Sequence, residues 1–396
     1  MAVLLDNPVR SYAWGSPTVI PELLGRPATA EPQAELWAGA HPGSPSTVVA
    51  DGRTLDRYIA DDPEAALGAS TVQRFGPQLP FLLKILAVQR PLSVQVHPTV
   101  EQARQGYAAE DGAGVSLDSP QRSYRDRNHK PEMVVALTEF EALIGFADPL
   151  AGAERLEGCA HADLVGAGAV LREPGGLEVL VRRWMTLPDG AADDLVAALT
   201  AEAAVRHDDG AFELVARLAR EYPGDRGLLL ALLMEHVRLR PGEAAFVPAG
   251  VPHAYLSGVG VEPQASSDNT LRAGLTAKHV DVAEVLRLLR YEPHGGVRVQ
   301  PQPLRPGERA YPVPGLEEFL LTEVELSADG VASDGVTVEA PALVLLVEGE
   351  ASVRAGADEV SVERGRAVFV PAADGSARLR GTGVAFTLVP GSDTAR

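Results

Sequence analysis

The chain has 396 residues, of which 45% are hydrophobic and 22% charged, as is ordinary for a soluble globular protein. Its length predicts two or three domains rather than one core. The formal net charge of −19 argues against nucleic acid as a partner, because a phosphate backbone requires clustered Lys and Arg. A small phosphate ligand stays compatible with this charge, since a few cations in one pocket suffice to bind it.

No membrane segment or signal peptide is evident in the sequence. The longest apolar run, at residues 227–234, is far shorter than a bilayer requires, and no membrane partner is expected. The single cysteine, Cys159, excludes an internal disulfide framework and fits a reducing compartment. We therefore expect a cytoplasmic protein. The sequence leaves the oligomeric state open, with a monomer as one option.

Strands and loops dominate the first 147 residues. Residues 47–49, Phe81–Val88 and residues 92–96 are predicted strands, bounded by Pro, Gly and Asp. The second of these is almost wholly apolar, as in a strand covered on both faces. Lys84 interrupts it, and a buried lysine requires a partner.

The pattern becomes helical between residues 148 and 235, where Ala and Leu recur at helical spacing. Strand character returns at residues 236–240, a helix is predicted over residues 280–290, and the proline-rich residues 299–314 resemble a linker. These patterns predict a discontinuous core at residues 1–147 and 236–298, with a helical insertion at 148–235.

An internal repeat relates residues 241–253 to residues 364–376. Each copy has a turn, a buried strand and a second turn held by Pro, as in a small antiparallel barrel of the cupin kind. Ser376 stands in the second copy where the first has His253. We therefore expect a C-terminal β-barrel domain at residues 315–396 that lacks metal ligands.

Residues 93–98 contain the first candidate metal ligands. Strand side chains alternate between faces, so Gln95 and His97 point the same way while Val94 and Val96 pack behind them. An imidazole and an amide oxygen on one strand face can both bind a metal. A polar edge in solvent, or a hydrogen-bonded core histidine, explains this segment equally well.

Glu132 follows the sequence Asn-His-Lys-Pro at residues 128–131 and opens an apolar run. Pro131 fixes the backbone and favours an extended entry into the next strand. An unpaired carboxylate there would be costly, and a bound metal would remove that cost. A salt bridge to a nearby Lys or Arg is the alternative.

His253 gives the most specific signal, because the turn, strand and turn before it direct its side chain into the predicted barrel. Gln95, His97, Glu132 and His253 together offer imidazole, carboxylate and amide donors without a thiolate. Catalytic zinc sites use such donors, whereas structural zinc sites favour cysteine. The set therefore predicts one catalytic metal; zinc fits best, and the donor types also suit iron or manganese.

Residues 262–279 form a polar segment that contains Arg272, Gly274 and Lys278. Arg272 could bind a phosphate in a forked geometry or stabilise developing negative charge, and Lys278 could supply a point charge. Composition alone favours a solvated surface loop.

Seven motifs occur in an order that resembles the type I mannose-6-phosphate isomerases. They run from the N-terminus to about residue 290, at residues 12–16, 34–42, 91–98, 128–133, 140–146, 252–255 and 267–276. Ala277 stands where that family often has proline, and residues 263–264 replace a pair that is usually apolar. Both departures flank the loop that the resemblance places at the substrate. They bear on the conformation of that loop more than on the chemistry.

The resemblance implies a mainly β protein with a bicupin-like core, an inserted helical domain and a third barrel-like domain. It implies reversible conversion of mannose 6-phosphate and fructose 6-phosphate, a small sugar-phosphate substrate, and one zinc on Gln95, His97, Glu132 and His253. It also places Arg272 near the reacting carbons and Lys130 in the pocket.

Isomerisation moves a proton between C1 and C2 through an enediolate. Arg272 is expected to stabilise the charge. Lys130, Glu262 and Asp268 are candidate proton carriers, of which Lys130 and Glu262 are favoured. Candidates for substrate contacts are Ser93, Lys278, Asp268 and Tyr255. The alternatives are a metal-dependent cupin dioxygenase, another sugar-phosphate isomerase, and a non-catalytic cupin that binds or senses a sugar.

Overall fold

The computed structural model describes residues 1–206, 209–293, 297–327 and 335–391. Parts of the predicted helical insertion and of the predicted C-terminal domain lie outside these residues. Within the described residues, no helix combines the length and apolar character needed to cross a membrane.

Twelve α-helices and twenty-one β-strands occur in the described residues. The helices are α1 (Val19–Leu23), α2 (Leu55–Asp61), α3 (Pro63–Leu67), α4 (Ala69–Phe75), α5 (Val100–Gly112), α6 (Pro149–Glu157), α7 (Ala162–Leu171), α8 (Gly176–Met185), α9 (Asp189–Val205), α10 (Gly210–Glu221), α11 (Gly227–Leu233) and α12 (Val282–Leu288). The first eleven strands are β1 (Val3–Asp6), β2 (Val9–Arg10), β3 (Glu35–Gly39), β4 (Thr47–Val48), β5 (Phe81–Val88), β6 (Val94–Val96), β7 (Glu132–Ala136), β8 (Phe140–Phe146), β9 (Met234–Leu239), β10 (Ala244–Val247) and β11 (His253–Ala265). The remaining strands are β12 (Leu271–Gly274), β13 (Arg298–Val299), β14 (Gln302–Arg305), β15 (Glu308–Tyr311), β16 (Leu320–Leu326), β17 (Val336–Glu339), β18 (Ala342–Ala355), β19 (Asp358–Glu363), β20 (Ala367–Val370) and β21 (Ser376–Val389).

The described strands build two antiparallel sheets, of eleven and ten strands, and the expectation of a mainly β protein with helices is confirmed. The eleven-stranded sheet contains β2, β3 and β5–β13, and the ten-stranded sheet contains β1, β4 and β14–β21. Leu83, Ile85 and Val135 from the first sheet share a buried cluster with Leu343 and Phe369 from the second. Because strand side chains alternate, Lys84 lies on the face turned away from this cluster.

Strand β11 is the centre of the eleven-stranded sheet. Its thirteen residues pair with β6 and β8 in the first half, and with β5 and β7 in the second half. One strand therefore begins with His253 and pairs with the strands that contain Gln95 and Glu132.

The helices from α6 to α11 occupy the segment predicted to be helical. Their apolar faces share a buried cluster with Val94 and Val96 of β6, and with Ala254 and Leu256 of β11. The helices thus support these strands from behind, and the prediction that Val94 and Val96 pack away from Gln95 is confirmed.

The prediction of a linker at residues 299–314 is wrong, because β14 and β15 pair there as a hairpin. Strand β14 lies at the edge of its sheet. Pro303 is tolerated at this position, since an edge strand leaves one row of backbone groups unpaired.

The internal repeat corresponds to two equivalent pieces of structure. Strand β10 leads through a turn to His253 at the start of β11, and β20 leads through a turn to Ser376 at the start of β21. The second sheet also contains the N-terminal strand β1, which pairs with β20 and β4. The division of the chain into domains stays a prediction.

Truncation of Leu5 should weaken the attachment of β1 to the second sheet. Leu5 is fully buried in the cluster that contains Phe369. We expect Leu5→Ala to lower the free energy of unfolding by about 2–5 kcal/mol, because it removes buried methyl groups and leaves a cavity. Chemical denaturation measures the change. The control Val49→Ala, at a side chain that is 51% exposed, should change the free energy of unfolding by less than about 0.5 kcal/mol. Equal losses in the two variants would contradict the placement of Leu5 in the core.

Candidate metal centre and substrate cavity

Two rows of neighbouring residues across the eleven-stranded sheet bring the polar side chains together. In the first row, Arg272 of β12 lies opposite Gln95 of β6, and Gln95 lies opposite His253 of β11. In the second row, Gln264 of β11 lies opposite Glu132 of β7. The register of β11 therefore fixes the spacing between the imidazole and the carboxylate.

His97, Glu132 and His253 form a compact buried cluster. His253 Nε2 lies 2.9 Å from Glu132 Oε1, and His97 Nε2 lies 3.3 Å from Glu132 Oε2. All three side chains are at most 3% exposed. Among the described residues, these three are also the one group of His, Cys, Asp and Glu donors close enough to share a metal ion.

Backbone carbonyls fix the tautomers of both histidines. His97 Nδ1 lies 2.8 Å from the carbonyl oxygen of Asn269, and His253 Nδ1 lies 3.2 Å from that of Val251. A carbonyl oxygen only accepts, so each Nδ1 carries the hydrogen and donates it. Each neutral imidazole therefore presents the lone pair of Nε2 to the carboxylate of Glu132.

This arrangement needs a cation between the three side chains. Within the described chain, His97 Nε2 and Glu132 Oε2 are both buried without a hydrogen bond of good geometry. A proton on Nε2 of His253 would let that imidazole donate to Glu132. Nε2 of His97 would still face a carboxylate oxygen with no hydrogen between the two atoms. A divalent metal would accept lone pairs from all three, so the donor set fits a metal of the zinc type.

The charges around the cluster agree with this fit. Burial and Lys130 lower the pKa of His97 to about 4, so its imidazole is neutral at pH 7. Burial alone would raise the pKa of Glu132, but the ammonium group of Lys130 holds it well below its usual range. Lys130 Nζ lies 3.0 Å from Glu132 Oε2. The carboxylate therefore stays charged and able to bind a metal.

A cavity of about 710 Å³ opens beside the cluster. Six of the residues that the sequence analysis selects line it, and these are Ser93, Gln95, Lys130, Asp268, Arg272 and Lys278. Glu262 and Tyr255 are instead buried in the sheet, at 3% and 4% exposure. The Tyr255 hydroxyl lies 3.4 Å from Glu132 Oε1, which places this residue beside the metal cluster rather than on the cavity wall.

Cations dominate the cavity wall, although the whole chain is strongly acidic. Arg10 and Arg125, which sequence reasoning missed, line it together with Arg272 and Lys278. Burial and Arg125 lower the pKa of Arg272, and burial and Arg272 lower the pKa of Lys278. Cations that destabilise one another in this way favour an anion between them.

Lys84 has the partner that its burial requires. Its Nζ lies 3.2 Å from Glu262 Oε2, and both side chains are at most 7% exposed. Lys84 also lies 5.0 Å from the ring centroid of Trp37, whose indole donates to Glu35. Burial would lower the pKa of Lys84, but Glu35 and Glu262 raise it above its usual value. Sequence reasoning singled out Lys84 but did not identify Glu262 as its partner, because the register between β5 and β11 decides which residues lie opposite each other.

A second feature missed by sequence reasoning is the network that orients His97. The side chain of Asn269 accepts from the backbone of Arg125 at 2.8 Å and donates to the backbone carbonyl of Asp126 at 2.9 Å. Ser267 donates to the carboxylate of Asp126 at 2.9 Å. These bonds hold the Asn269 carbonyl against His97. The adjacent Ser-Asp-Asn at residues 267–269 is the signal that could have indicated them.

A buried carboxylate with two imidazole lone pairs, next to a cationic cavity in a β-sheet, defines a metalloprotein whose site accepts an anionic ligand. Residues 3–148 match the model of the phosphomannose isomerase type I catalytic domain. The mannose-6-phosphate isomerase of Escherichia coli K12 is 36% identical over 395 residues, which cover 96% of this chain and 97% of the relative. That of Homo sapiens is 31% identical, with 93% of each chain covered. The chain therefore belongs to the type I phosphomannose isomerase family.

Solved structures of the same family share the whole fold. Mannose 6-phosphate isomerase from Salmonella typhimurium bound to substrate and zinc has a TM-score of 0.89, at 33% identity, with 99% of this chain and 100% of that chain covered. The apo form from the same organism also has a TM-score of 0.89 and covers 99% of each chain. The likeness extends over the helical segment and the C-terminal strands as well as the site.

Loss of Lys84 should leave Glu262 as an unpaired buried carboxylate. We expect Lys84→Met to lower the free energy of unfolding by about 3–5 kcal/mol at pH 8. Burial already raises the pKa of Glu262, and Lys84 opposes that rise. Without Lys84 the pKa rises further, so stability is retained at low pH and lost as pH rises through the folded-state value. Denaturation at pH 5 should therefore show a smaller loss than at pH 8.

The exposed ion pair of Arg90 with Glu221 provides the control. Arg90→Met should cost less than about 1 kcal/mol at either pH, because solvent screens an exposed pair. A loss for Lys84→Met that does not vary with pH would contradict the pairing.

Proposed function

We propose that the chain interconverts mannose 6-phosphate and fructose 6-phosphate as an aldose–ketose isomerase, with one zinc ion held by Gln95, His97, Glu132 and His253. The observation that carries this proposal is the pair of imidazole lone pairs directed at one buried carboxylate beside a cationic cavity. The names of the relatives and the structure of the Salmonella enzyme with substrate and zinc support it.

Zinc, when bound, supplies a Lewis acid that polarises carbonyl and hydroxyl oxygens of a sugar. His97 and His253 contribute neutral donors whose tautomers are fixed by backbone carbonyls. Glu132 contributes the negative charge. Gln95 lies opposite His253 in the sheet and lines the cavity, which supports its proposed role as the ligand between metal and substrate.

Arg272 and the residues near it bind and orient the sugar phosphate. Arg272 lies opposite Gln95 on the adjacent strand, next to the metal ligands, where a fixed cation stabilises the charge of an enediolate. Lys278 and Ser93 contact the phosphate end of the substrate from the cavity wall. Asp268, which also lines the cavity, completes the set of substrate contacts, whereas Tyr255 lies behind the wall beside Glu132.

Lys130 is the favoured carrier of the proton that moves between C1 and C2. It lines the cavity, and its ammonium group lies 3.0 Å from Glu132, so it is close to both metal and substrate. Glu262 is held below the wall in its ion pair with Lys84, and burial raises its pKa, which suits a carboxyl that exchanges protons. Asp268, at the cavity mouth, is the third candidate.

The architecture proposed to carry this activity is a bicupin-like core with an inserted helical domain and a C-terminal cupin-like barrel. The equivalence of β10–β11 with β20–β21 supports the cupin assignment. We propose a cytoplasmic location, since the single cysteine fits a reducing compartment, and a small-molecule substrate without nucleic acid or membrane partners.

Conversion of mannose 6-phosphate to fructose 6-phosphate, measured in a coupled assay on purified protein, tests the proposal. We expect His253→Ala to lose bound zinc and to lose activity by about a hundred-fold or more, because one of the proposed ligands is gone. A chelator should abolish wild-type activity, and added zinc should restore it.

The control for this variant is His236→Ala. His236 is a partly buried histidine near Glu141, outside the cluster, and its loss should leave zinc content and activity at wild-type values. Full activity in metal-free protein would contradict the proposed chemistry. A zinc-bound wild type without isomerase activity would instead favour a non-catalytic sugar-binding protein.

A further inference from the structure

The carboxylate of Asp225 joins the helical segment to the loop that carries two of the cavity's cations. Asp225 lies between α10 and α11. Its Oδ1 accepts from the backbone nitrogens of Gly227 at 2.6 Å and Leu275 at 2.8 Å, and its Oδ2 accepts from that of Thr276 at 2.9 Å. One charged side chain thus satisfies three backbone donors from two distant parts of the chain.

The loop held in this way, residues 272–278, begins with Arg272 near the end of β12 and ends with Lys278. Arg272, Thr276 and Lys278 line the substrate cavity. Leu275 adopts a φ of +53°, a left-handed conformation that is costly for a residue with a side chain. Its side chain is 1% exposed. Burial of Leu275 and its bond to Asp225 therefore hold the turn between the two cations in a strained form.

Two glycines allow Asp225 to approach the loop this closely. A Cβ atom on Gly274 would lie 2.4 Å from Cα of Gly227, and one on Gly227 would lie 2.5 Å from the backbone nitrogen of Leu275. Gly274 also has a positive φ of +152°. The backbones of α11 and of the loop are thus in direct contact, and the carboxylate spans them at their point of closest approach.

We propose that Asp225 is a positioning residue for substrate binding, which acts by fixing Arg272 and Lys278 at the cavity wall. This inference rests on the proposed function. It gives the helical segment a part in the active site, although the described helices from α6 to α11 contribute none of the proposed metal ligands. A charge-assisted hydrogen bond to a backbone amide is stronger than a neutral one, so a carboxylate suits this position.

Steady-state kinetics of the zinc-loaded, full-length Asp225→Ala and Asp225→Asn variants with mannose 6-phosphate test the proposal. We expect kcat/KM of Asp225→Ala to fall by about ten- to a hundred-fold, through a higher KM because the displaced cations bind the substrate less well, and through a lower kcat because Arg272 is among them. Asp225→Asn keeps one acceptor oxygen but presents an amide donor to a backbone N–H. Its KM should therefore lie between those of the wild type and Asp225→Ala, with zinc content unchanged in both variants.

Asp148→Ala is the matched control, since Asp148 also accepts from a backbone amide in the helical segment, at Leu150, and lies outside the cavity. It should lower the melting temperature without changing KM. If Asp225→Ala does not fold, the KM of Asp225→Asn decides between the outcomes: a KM above the wild-type value supports the inference, and a wild-type KM overturns it. Wild-type kcat/KM in the Asp225 variants, a loss confined to kcat, or the same KM change in Asp148→Ala would overturn the inference. A wild type without isomerase activity would overturn the proposed function, and the inference with it.

Discussion

The structure depends on one buried carboxylate that faces two imidazole lone pairs. Glu132 is charged, nearly inaccessible to water, and within 3.3 Å of Nε2 of both His97 and His253. In water such a group would be solvated, but in the interior it requires a cation of fixed position. Lys130 supplies part of the compensating charge from the cavity side. A metal ion would supply the rest of the compensating charge. The strands, the loops and the tautomers of the two histidines direct the donor atoms toward its position.

Strand β11 is the element that makes this arrangement possible. It begins with His253, pairs Glu262 with Lys84 in its second half, and ends beside Glu132. The helices behind it bury Ala254 and Leu256 in its first half, and Val261 in its second half lies in the buried cluster that the two sheets share. Because Gln95, Glu132 and His253 come from neighbouring rows of one sheet, their separations follow from strand spacing, whereas His97 follows β6 and is oriented by the carbonyl of Asn269. Two of the cavity's cations depend on a further contact. Arg272 lies in β12 and Lys278 on the loop after it, and the backbone of that loop donates hydrogen bonds to Asp225.

The sequence predicts the parts of the site that depend on local pattern. Alternation within one strand places Gln95 away from Val94 and Val96, and an apolar run interrupted by Lys84 requires a buried partner. Neither pattern identifies Glu262 as that partner, since the pairing depends on the register between strands that are far apart in sequence. The contact between Asp225 and the loop is equally hidden, because it depends on how helices dock on a sheet. The hairpin at β14 and β15 is not predicted because proline is a loop signal in a sequence, although an edge strand tolerates it. The proposed domain boundaries depend on similar long-range pairing.

X-ray absorption at the zinc edge of the purified protein tests the central claim most directly, since it reports the donors that surround the metal. Reconstitution with one zinc per chain should give about four nitrogen and oxygen donors at about 2.0–2.2 Å, with the scattering pattern of imidazole and no sulfur shell. His253→Ala should retain little zinc, and any zinc that it does retain should show less imidazole scattering. A sulfur donor at about 2.3 Å, or a wild-type chain that does not retain zinc in the folded state, would contradict the account.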